Sequence, residues 1–258
     1  MRLLALLSLA LCACRQNPSS APVLLTPNTL AHAPDARVRT AVFVVADGVY
    51  NSELMAPYDV LHHTLYRDSL DYIAPFIANA SGEAFVTFEG LRVEPHYSFA
   101  EAPPADIVVI PSTEGSLDRD LRDTAYMGYV RRAIRDAEWV ITVCDGAFAL
   151  AATGALDGRQ ATTFPADRGA FAKTYPAVRV RDDRRLVVDG KYLTSVGGGM
   201  SYEPALWLVE HLWDSTRVAG NARGLVWPWN FQDTAFEVVM DVAAAVDRAD
   251  PTDLMPAD

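Results

Sequence analysis

Residues 139–150 read WVITVCDGAFAL, a stretch with an apolar run followed by a cysteine and then by helix-forming residues. Its first five residues form an apolar, largely β-branched run that is typical of a buried strand. Cys144, Asp145 and Gly146 follow, and the residues after them are mostly strong helix formers. A strand that turns into a helix at a cysteine predicts a nucleophile elbow, which lifts the side chain out of the sheet. Since a helix N-terminus favours thiolate over thiol, Cys144 is a candidate nucleophile. The alternative is a buried structural cysteine.

Strands and helices alternate on both sides of this stretch. Apolar runs of strand length come before it and after it, at residues 40–46, 72–80, 106–110, 161–163, 178–180, 186–188 and 192–196. Helical patterns lie between them, at residues 52–66, 121–137 and 203–214. This alternation predicts an α/β fold, a flavodoxin-like, doubly wound, mostly parallel sheet with helices on both faces. Thr234 and Glu237 fit a capping box, which predicts a last helix to about Ala249.

Composition limits the size of the domain and its partners. With 258 residues, 50% of them hydrophobic, the chain can bury one sizeable core, and one α/β domain is the economical interpretation. The formal net charge is −11, without a basic cluster. A surface this acidic argues against nucleic acid as a partner and against electrostatic docking on anionic lipid.

The N-terminal residues predict export and a membrane anchor. Arg2 is followed by an apolar stretch and small residues, as in a signal peptide that is too short to span a bilayer. Residues 11–14, LCAC, resemble a bacterial lipobox, which makes Cys14 the lipidated residue; the alternative is an ordinary signal peptide. We therefore expect a protein of the bacterial cell envelope, lipid-anchored and facing the periplasm or the exterior. Cys144 is then the remaining free thiol, and no disulfide is expected.

The same reading divides the chain into four parts. Residues 1–13 are expected to be a lipoprotein signal peptide, and residues 14–38, rich in Pro, Ser and Ala, a flexible tether. Residues 39–232 are expected to form the α/β domain, and residues 233–258 a C-terminal helix and tail.

Three segments resemble the ThiJ/PfpI family of class I glutamine-amidotransferase-like proteins. They are residues 47–61 (DGVYNSELMAPYDVL), 143–165 (VCDGAFALAATGALDGRQATTFP) and 194–199 (TSVGGG), in the family's order. The resemblance implies a small-molecule protein in which the acidic residue matching Glu53 contacts the nucleophilic Cys144. Both Glu53 and Cys144 are therefore candidate catalytic residues.

The resemblance also suggests how Cys144 is activated and what surrounds it. A protonated Glu53 would donate a hydrogen bond to the thiolate, so we expect a lowered Cys144 pKa; the alternative is that Glu53 only caps its helix. Backbone N–H groups after the elbow, at Asp145 and Gly146, and at Thr113 are the candidate oxyanion donors, although Thr113 replaces a glycine of relatives. Ser195 is the further binding candidate. The Asp145 side chain is expected to cap the helix, although its charge opposes the thiolate.

Other sites are weakly supported by the sequence. Relatives have His-Trp where this chain has Phe164-Pro165, and the five histidines are expected to be surface or packing residues, so no Cys-His dyad is visible. No CxxC or HExxH occurs, and residues 197–199 lack the Lys-Ser/Thr of a phosphate loop, so neither a metal nor a cofactor is expected. The glycines are expected to pack a helix closely against the elbow.

Two classes of function fit these observations. The first is a cysteine-dependent hydrolase, hydratase or glyoxalase/deglycase-like enzyme that acts on a small molecule. The second is a non-catalytic ligand-binding or oxidant-sensing domain, in which Cys144 is oxidised rather than turning over substrate. The sequence leaves the oligomeric state open, with a homodimer as one candidate, and Trp227-Pro228-Trp229 belongs either to the core or to a dimer surface.

Overall fold

The computed structural model describes residues 37–229 and 236–239. The signal peptide, Cys14 and nearly all of the tether lie outside these residues. Within them, no helix combines the length and the apolar character that crossing a membrane requires.

Twelve strands and seven helices follow one another along the described chain. The strands are β1 Arg37–Val44, β2 Asp71–Asn79, β3 Phe85–Val86, β4 Arg92–Val93, β5 Tyr97–Ser98, β6 Ile107–Ile110, β7 Trp139–Val143, β8 Gln160–Ala161, β9 Arg179–Val180, β10 Leu186–Asp189, β11 Tyr192–Ser195 and β12 Phe236–Val239. The helices are α1 Asn51–His62, α2 Arg119–Arg122, α3 Thr124–Asp136, α4 Gly146–Ala151, α5 Arg168–Thr174, α6 Glu203–Leu212 and α7 Ser215–Gly224. Short 3₁₀ turns lie at His63–Tyr66, Pro165–Asp167 and Gly198–Met200.

Eight strands form one sheet in the order β12-β10-β11-β7-β6-β1-β2-β5. All neighbouring pairs are parallel except β10 and β11, which are antiparallel. Because each parallel connection must cross over the sheet, helices cover both faces. The predicted flavodoxin-like α/β fold is confirmed. The antiparallel pair β3-β4 forms a hairpin that lies off this central sheet.

The core has two halves, one on each face of the sheet. Along β1, Ala41 and Phe43 face the side covered by α1, α6 and α7, while Val42 and Val44 face α3 and α4. All four side chains are fully buried. This explains why the central strands are continuous apolar runs rather than alternating ones.

The helix predicted to begin at Thr234 is wrong where the structure can be compared with it. Phe236–Val239 is strand β12, which pairs in parallel with β10 in the register Leu186↔Phe236. The Glu237 side chain of this strand forms ion pairs with Arg181 and Arg184 at 3.2 and 3.3 Å. The acidic residue of the presumed capping box therefore makes a tertiary contact instead of capping a helix. The remainder of the predicted helix lies outside the described residues.

Candidate active site

The candidate site forms where the carboxyl ends of four neighbouring strands meet. β1, β6, β7 and β11 are parallel to one another, so the segments that follow them lie at the same edge of the sheet. These segments carry Glu53, Ser112, Cys144 and Gly197, in that order. The site therefore combines the three segments that resemble the ThiJ/PfpI family with a fourth segment, which follows β6.

Cys144 occupies a strained elbow directly after β7. Its φ is +56°, a left-handed conformation that a non-glycine residue rarely adopts. Two contacts hold it: the Cys144 N–H donates to the Ser195 carbonyl at 2.9 Å, and the Asp145 N–H donates to the Cys144 sulfur. The predicted nucleophile-elbow geometry is thus present.

Two glycines permit this elbow through close packing. A Cβ at Gly197, whose φ is +75°, would lie 2.4 Å from the Cβ of Cys144. A Cβ at Gly146 would lie 2.0 Å from the carbonyl oxygen of Ile110, at the end of β6. The expected close packing of the glycine run against the elbow is met at Gly197, whereas Gly199 has open space around it.

Glu53 is buried against the cysteine. Only 4% of the residue is exposed, and its carboxyl is hydrogen-bonded to the Cys144 side chain. The Ser112 N–H donates to Oε2 at 3.2 Å and the Gly198 N–H to Oε1 at 3.4 Å. Glu53 therefore does not cap its own helix, which begins at Asn51; it joins the segments after β1, β6, β7 and β11.

Burial dominates the electrostatics of Glu53. Desolvation raises the pKa of Glu53 from 4.5 to about 7, against the lowering effect of its three hydrogen bonds. The negative charge of Asp145 raises this pKa further. A carboxyl whose pKa lies near neutrality can both accept and return a proton under ordinary conditions.

The prediction of a lowered Cys144 pKa is wrong. Burial raises the pKa of the Cys144 thiol, and the negative charges of Glu53 and Asp145 raise it further. The Asp145 N–H that donates to the sulfur lowers the pKa, but this effect is smaller. At neutral pH the thiol keeps its proton, and the adjacent carboxyl is the group that titrates.

Asp145 also departs from its predicted role. Its side chain makes no cap hydrogen bond to α4. Instead Oδ1 accepts from the Thr163 hydroxyl at 2.8 Å, and the carboxyl is hydrogen-bonded to the Asp167 carboxyl. Desolvation raises the pKa of Asp145 to about 6, and the negative charge of Asp167 adds to this effect.

The loop after β6 does not offer the predicted oxyanion donor. The Thr113 N–H donates to the Ser116 hydroxyl at 2.8 Å, and the Ser112 N–H is engaged by Glu53. The N–H groups of Glu114 and Gly115 donate to the Gly48 carbonyl and to the Thr113 hydroxyl, both at 2.9 Å. Thr113 therefore shapes this loop and has no free N–H for a ligand.

Ser195 lies beside the elbow but supports it from within. The residue is 1% exposed, and its hydroxyl donates to the Thr142 carbonyl of β7 at 3.2 Å. Together with the Cys144 N–H bonded to its carbonyl, this makes Ser195 a brace for the elbow rather than a ligand contact.

Tyr50 is a site residue that the sequence motifs did not predict. Burial raises the pKa of its phenol, and the charges of Cys144, Glu53 and Asp145, in that order, raise it further, which places the hydroxyl near all three. Its ring packs against Phe88 of the β3-β4 hairpin in a tilted arrangement, with centroids 4.6 Å apart. The sequence feature that could have indicated Tyr50 is its position three residues before Glu53, directly before α1 begins.

The described histidines serve packing, as expected. His211 lies between the rings of Trp139 and Trp207, each centroid 4.9 Å away. The His96 Nδ1 accepts the Ile77 N–H at 3.1 Å, and the His63 Nδ1 contacts the Asp59 carbonyl at 2.8 Å. His62 stacks on the ring of Tyr58, and no histidine is among the described hydrogen-bond partners of Cys144 or Glu53.

The tryptophans near the end of the described chain pack against the core. Trp227 stacks on Tyr202 with centroids 4.6 Å apart, and the Trp229 Nε1 donates to Glu210 at 2.8 Å. The described residues hold no group of three or more His, Cys, Asp and Glu side chains arranged to bind a metal ion.

The protein is thus a flavodoxin-like α/β domain with a cysteine elbow and a buried glutamate beside the sulfur. The DJ-1/PfpI family model matches residues 39–211, about two thirds of the chain. The chain therefore belongs to the DJ-1/PfpI family.

Known proteins support this assignment. The chain is 28% identical over 177 residues to an isonitrile hydratase of Pseudomonas putida, covering 66% of this chain and 70% of that protein. It is 26% identical over 195 residues to the protein dj-1beta of Drosophila melanogaster, covering 74% and 99%. The crystal structure of that Drosophila protein aligns with a TM-score of 0.65 at 24% identity, covering 75% of this chain and all of the other. A ThiJ/PfpI family protein from Pseudomonas syringae aligns with a TM-score of 0.66 at 22% identity, covering 83% and 84%.

Proposed function

We propose that this protein catalyses the addition of water to a small electrophilic carbon through Cys144, with Glu53 as the proton carrier. The observation that carries the proposal is the hydrogen bond between the buried Glu53 carboxyl, with its pKa of about 7, and the Cys144 side chain. General acid–base catalysis is most effective when the pKa of the catalytic group lies near the working pH. Glu53 meets this condition without a histidine.

The raised pKa of Cys144 shapes the proposed chemistry. Because the thiol is protonated at neutral pH, its attack requires a base in contact with it, and ionised Glu53 is that base. The sulfur bonds to the electrophilic carbon as the thiol proton moves to Glu53. Glu53 then returns the proton to the adduct, and water releases the product and regenerates the thiol.

An isonitrile is the first substrate class that we propose, because a hydratase of isonitriles is among the relatives. Thiol addition to the terminal carbon of R–NC, with the proton delivered to the same carbon, gives the thioimidate R–N=CH–S–Cys. Water then displaces the sulfur and leaves the formamide R–NH–CHO. A small reactive carbonyl, as in glyoxalase- or deglycase-like chemistry, is the second class, and it would add to Cys144 in the same way.

The test measures formamide from an aliphatic isonitrile and lactate from a 2-oxoaldehyde, with the wild type and three variants. Cys144→Ala should abolish turnover. Glu53→Gln should lower it by about 10²–10⁴-fold, and the exposed Glu94→Gln is the matched control. The wild-type rate should rise with pH through about 7, because Glu53 must be ionised to accept the proton. Turnover that survives in Cys144→Ala would refute the proposal.

The alternative, a non-catalytic ligand-binding or oxidant-sensing domain, is favoured by a different observation. The Thr113 N–H is occupied by Ser116, so the loop after β6 lacks the free donor that stabilises a developing oxyanion. Two results would support this alternative. One is saturable binding of either substrate without turnover. The other is oxidation by peroxide that converts Cys144 itself to a sulfenic acid.

We also propose that the protein is exported and lipid-anchored in the bacterial cell envelope through Cys14. The lipobox-like residues 11–14 support this. Cys14→Ser should prevent the mass increase of lipidation and move the protein out of the membrane fraction, while Cys12→Ser should change neither. Identical fractionation and mass in both variants would contradict the anchor.

A homodimer is a further proposal, supported by the β3-β4 hairpin. Val86, Phe88 and Leu91 are 47%, 54% and 55% exposed there, which makes an apolar patch that a second copy would cover. Light scattering should give twice the monomer mass, and Phe88→Ser combined with Leu91→Ser should give the monomer. A wild-type monomer would refute the dimer.

A further inference from the structure

Three arginines line a cleft at the surface between α7 and the 3₁₀ turn after α1. The cleft has a volume of about 350 Å³. Its lining residues are Arg67, Asp214, Thr216, Arg217, Gly220 and Arg223. These residues belong to α7 or flank it and the turn, whereas Cys144 and Glu53 contact none of them in the described structure.

The cleft is positively charged, whereas the chain as a whole is negatively charged. The whole sequence has a net charge of −11, yet the lining contains three guanidinium groups and one carboxylate. That carboxylate, Asp214, already accepts the Arg217 N–H at 2.8 Å as the N-cap of α7. Within residues 37–229 and 236–239, Arg67 and Arg223 form neither an ion pair nor a side-chain hydrogen bond. Two positive charges in the cleft are therefore left uncompensated.

Arg217 is held in place before any ligand arrives. Its guanidinium lies 4.7 Å from the Trp213 ring centroid, its Nη1 is 3.7 Å from Asp68, and its Nη2 donates to the Asp71 carbonyl. Its Nε is buried and has no hydrogen-bond partner in the described part of the chain. Because Arg217 is already ordered, a ligand that contacts it would not have to immobilise the side chain.

Gly220 makes room for the second arginine. A Cβ at this position would lie 3.1 Å from Cδ of Arg67, so the absence of a side chain lets Arg67 lie across α7. At Gly224 a Cβ would lie 2.9 Å from Nη2 of Arg67, which places the guanidinium over the last turn of the helix. Arg223 lies on that same last turn, and Thr216 adds a hydroxyl two turns earlier.

We propose that this cleft binds a compact anion of the phosphate class, with Arg67, Arg217 and Arg223 as its ligands. Planar guanidinium groups match the oxygens of phosphate in bidentate geometry, and three of them around one cavity suit a dianion better than a single carboxylate. The phosphate could be carried by a free metabolite or by a lipid headgroup, and the cleft recognises the same oxygens in both.

The first arm of the test uses inorganic phosphate and full-length protein. Calorimetry at low ionic strength should show saturable binding in the wild type, with chloride at the same ionic strength as the blank. Arg67→Gln and Arg223→Gln should each weaken binding by about fivefold, a magnitude expected for exposed charge-assisted contacts. Lys173→Gln removes one exposed positive charge from α5 and should leave the affinity unchanged. Both arginines are exposed, and equal melting temperatures without phosphate would show that the variants are folded.

The second arm identifies the source of the phosphate. Flotation with phosphatidylcholine vesicles, with and without phosphatidic acid, measures headgroup binding in the Cys14→Ser background. Phosphatidic-acid-dependent flotation that is lost in Arg67→Gln and Arg223→Gln assigns the cleft to a lipid headgroup, and phosphate binding without flotation assigns it to a free anion. Absence of both, or binding to which Lys173→Gln matters as much as the two arginine variants, would overturn the proposal.

Discussion

The burial of Glu53 should make the stability of the protein fall as the pH rises. Folding raises the pKa of Glu53 from 4.5 to about 7, so the folded state holds a proton that the unfolded chain releases in this range. The stability from this group is complete below about pH 4.5, falls as the pH rises toward 7, and is lost above it. A change of this size corresponds to about 3 kcal/mol.

Glu53→Gln isolates this effect. Glutamine has the size of glutamic acid but cannot ionise, so the variant should lack the pH-dependent loss. It will also mismatch one of the two N–H donors, at Ser112 or Gly198, and this fixed cost of about 1–3 kcal/mol applies at every pH. Asp145, whose pKa burial raises to about 6, is present in both proteins, so its own contribution largely cancels in the difference.

Urea denaturation followed by tryptophan fluorescence measures the prediction. The free energy of unfolding is determined for wild type, Glu53→Gln and the exposed Glu94→Gln at several values between about pH 4 and pH 8. The difference between wild type and Glu53→Gln should change by about 3 kcal/mol across this range, in favour of the variant at high pH. Glu94→Gln should run parallel to the wild type. The prediction would be refuted if the difference in the free energy of unfolding between wild type and Glu53→Gln stayed constant with pH.

Three further outcomes are expected. Alkylation of Cys144 by iodoacetamide should accelerate with pH beyond the free-thiol value of about 8.5, because burial raises the pKa of the thiol; a plateau reached below this value would contradict the assignment. Gly197→Ala should destabilise the protein by at least about 2 kcal/mol, measured by thermal unfolding, because its Cβ would meet Cys144 and its φ is positive. Gly199→Ala, with open space and no positive φ, is the control, and equal effects would show that the close contact is unimportant. Asp123→Ala should cost about 1 kcal/mol in urea denaturation by removing the two N-cap hydrogen bonds of α3, and an unchanged midpoint would argue against the cap.

The sequence predicts those features that depend on short stretches of chain. Residues 41–44 of β1, all of β6 and four of the five residues of β7 are apolar, so the parallel sheet can be predicted from these strands alone. The elbow can be predicted in the same way, because the strand residues, the cysteine and the helix formers are contiguous in the sequence. The Glu53–Cys144 contact needed the family resemblance, since 91 positions separate the two residues.

Features that depend on distant contacts are not legible in the same way. Phe236–Val239 overlaps the residues that fit a capping box, yet its pairing with β10 makes it a strand. The pKa of Cys144 depends on burial among segments after four strands, which outweighs the local helix N-terminus that sequence reasoning emphasised. One local contact also escaped prediction: the Thr113 N–H donates to the Ser116 hydroxyl three residues away, which leaves it unavailable to a ligand.

The long-range support of the elbow has a consequence during synthesis. Ser195, which accepts the Cys144 N–H, and Gly198, which donates to Glu53, follow Cys144 by more than fifty residues. A growing chain therefore presents this cysteine before the partners that enclose it exist. At that stage the thiol is hydrated and ionises as in a free peptide, so it is more easily oxidised than in the finished protein. Folding thus acts as a chemical shield for Cys144, and oxidative damage should accumulate on nascent or unfolded chains.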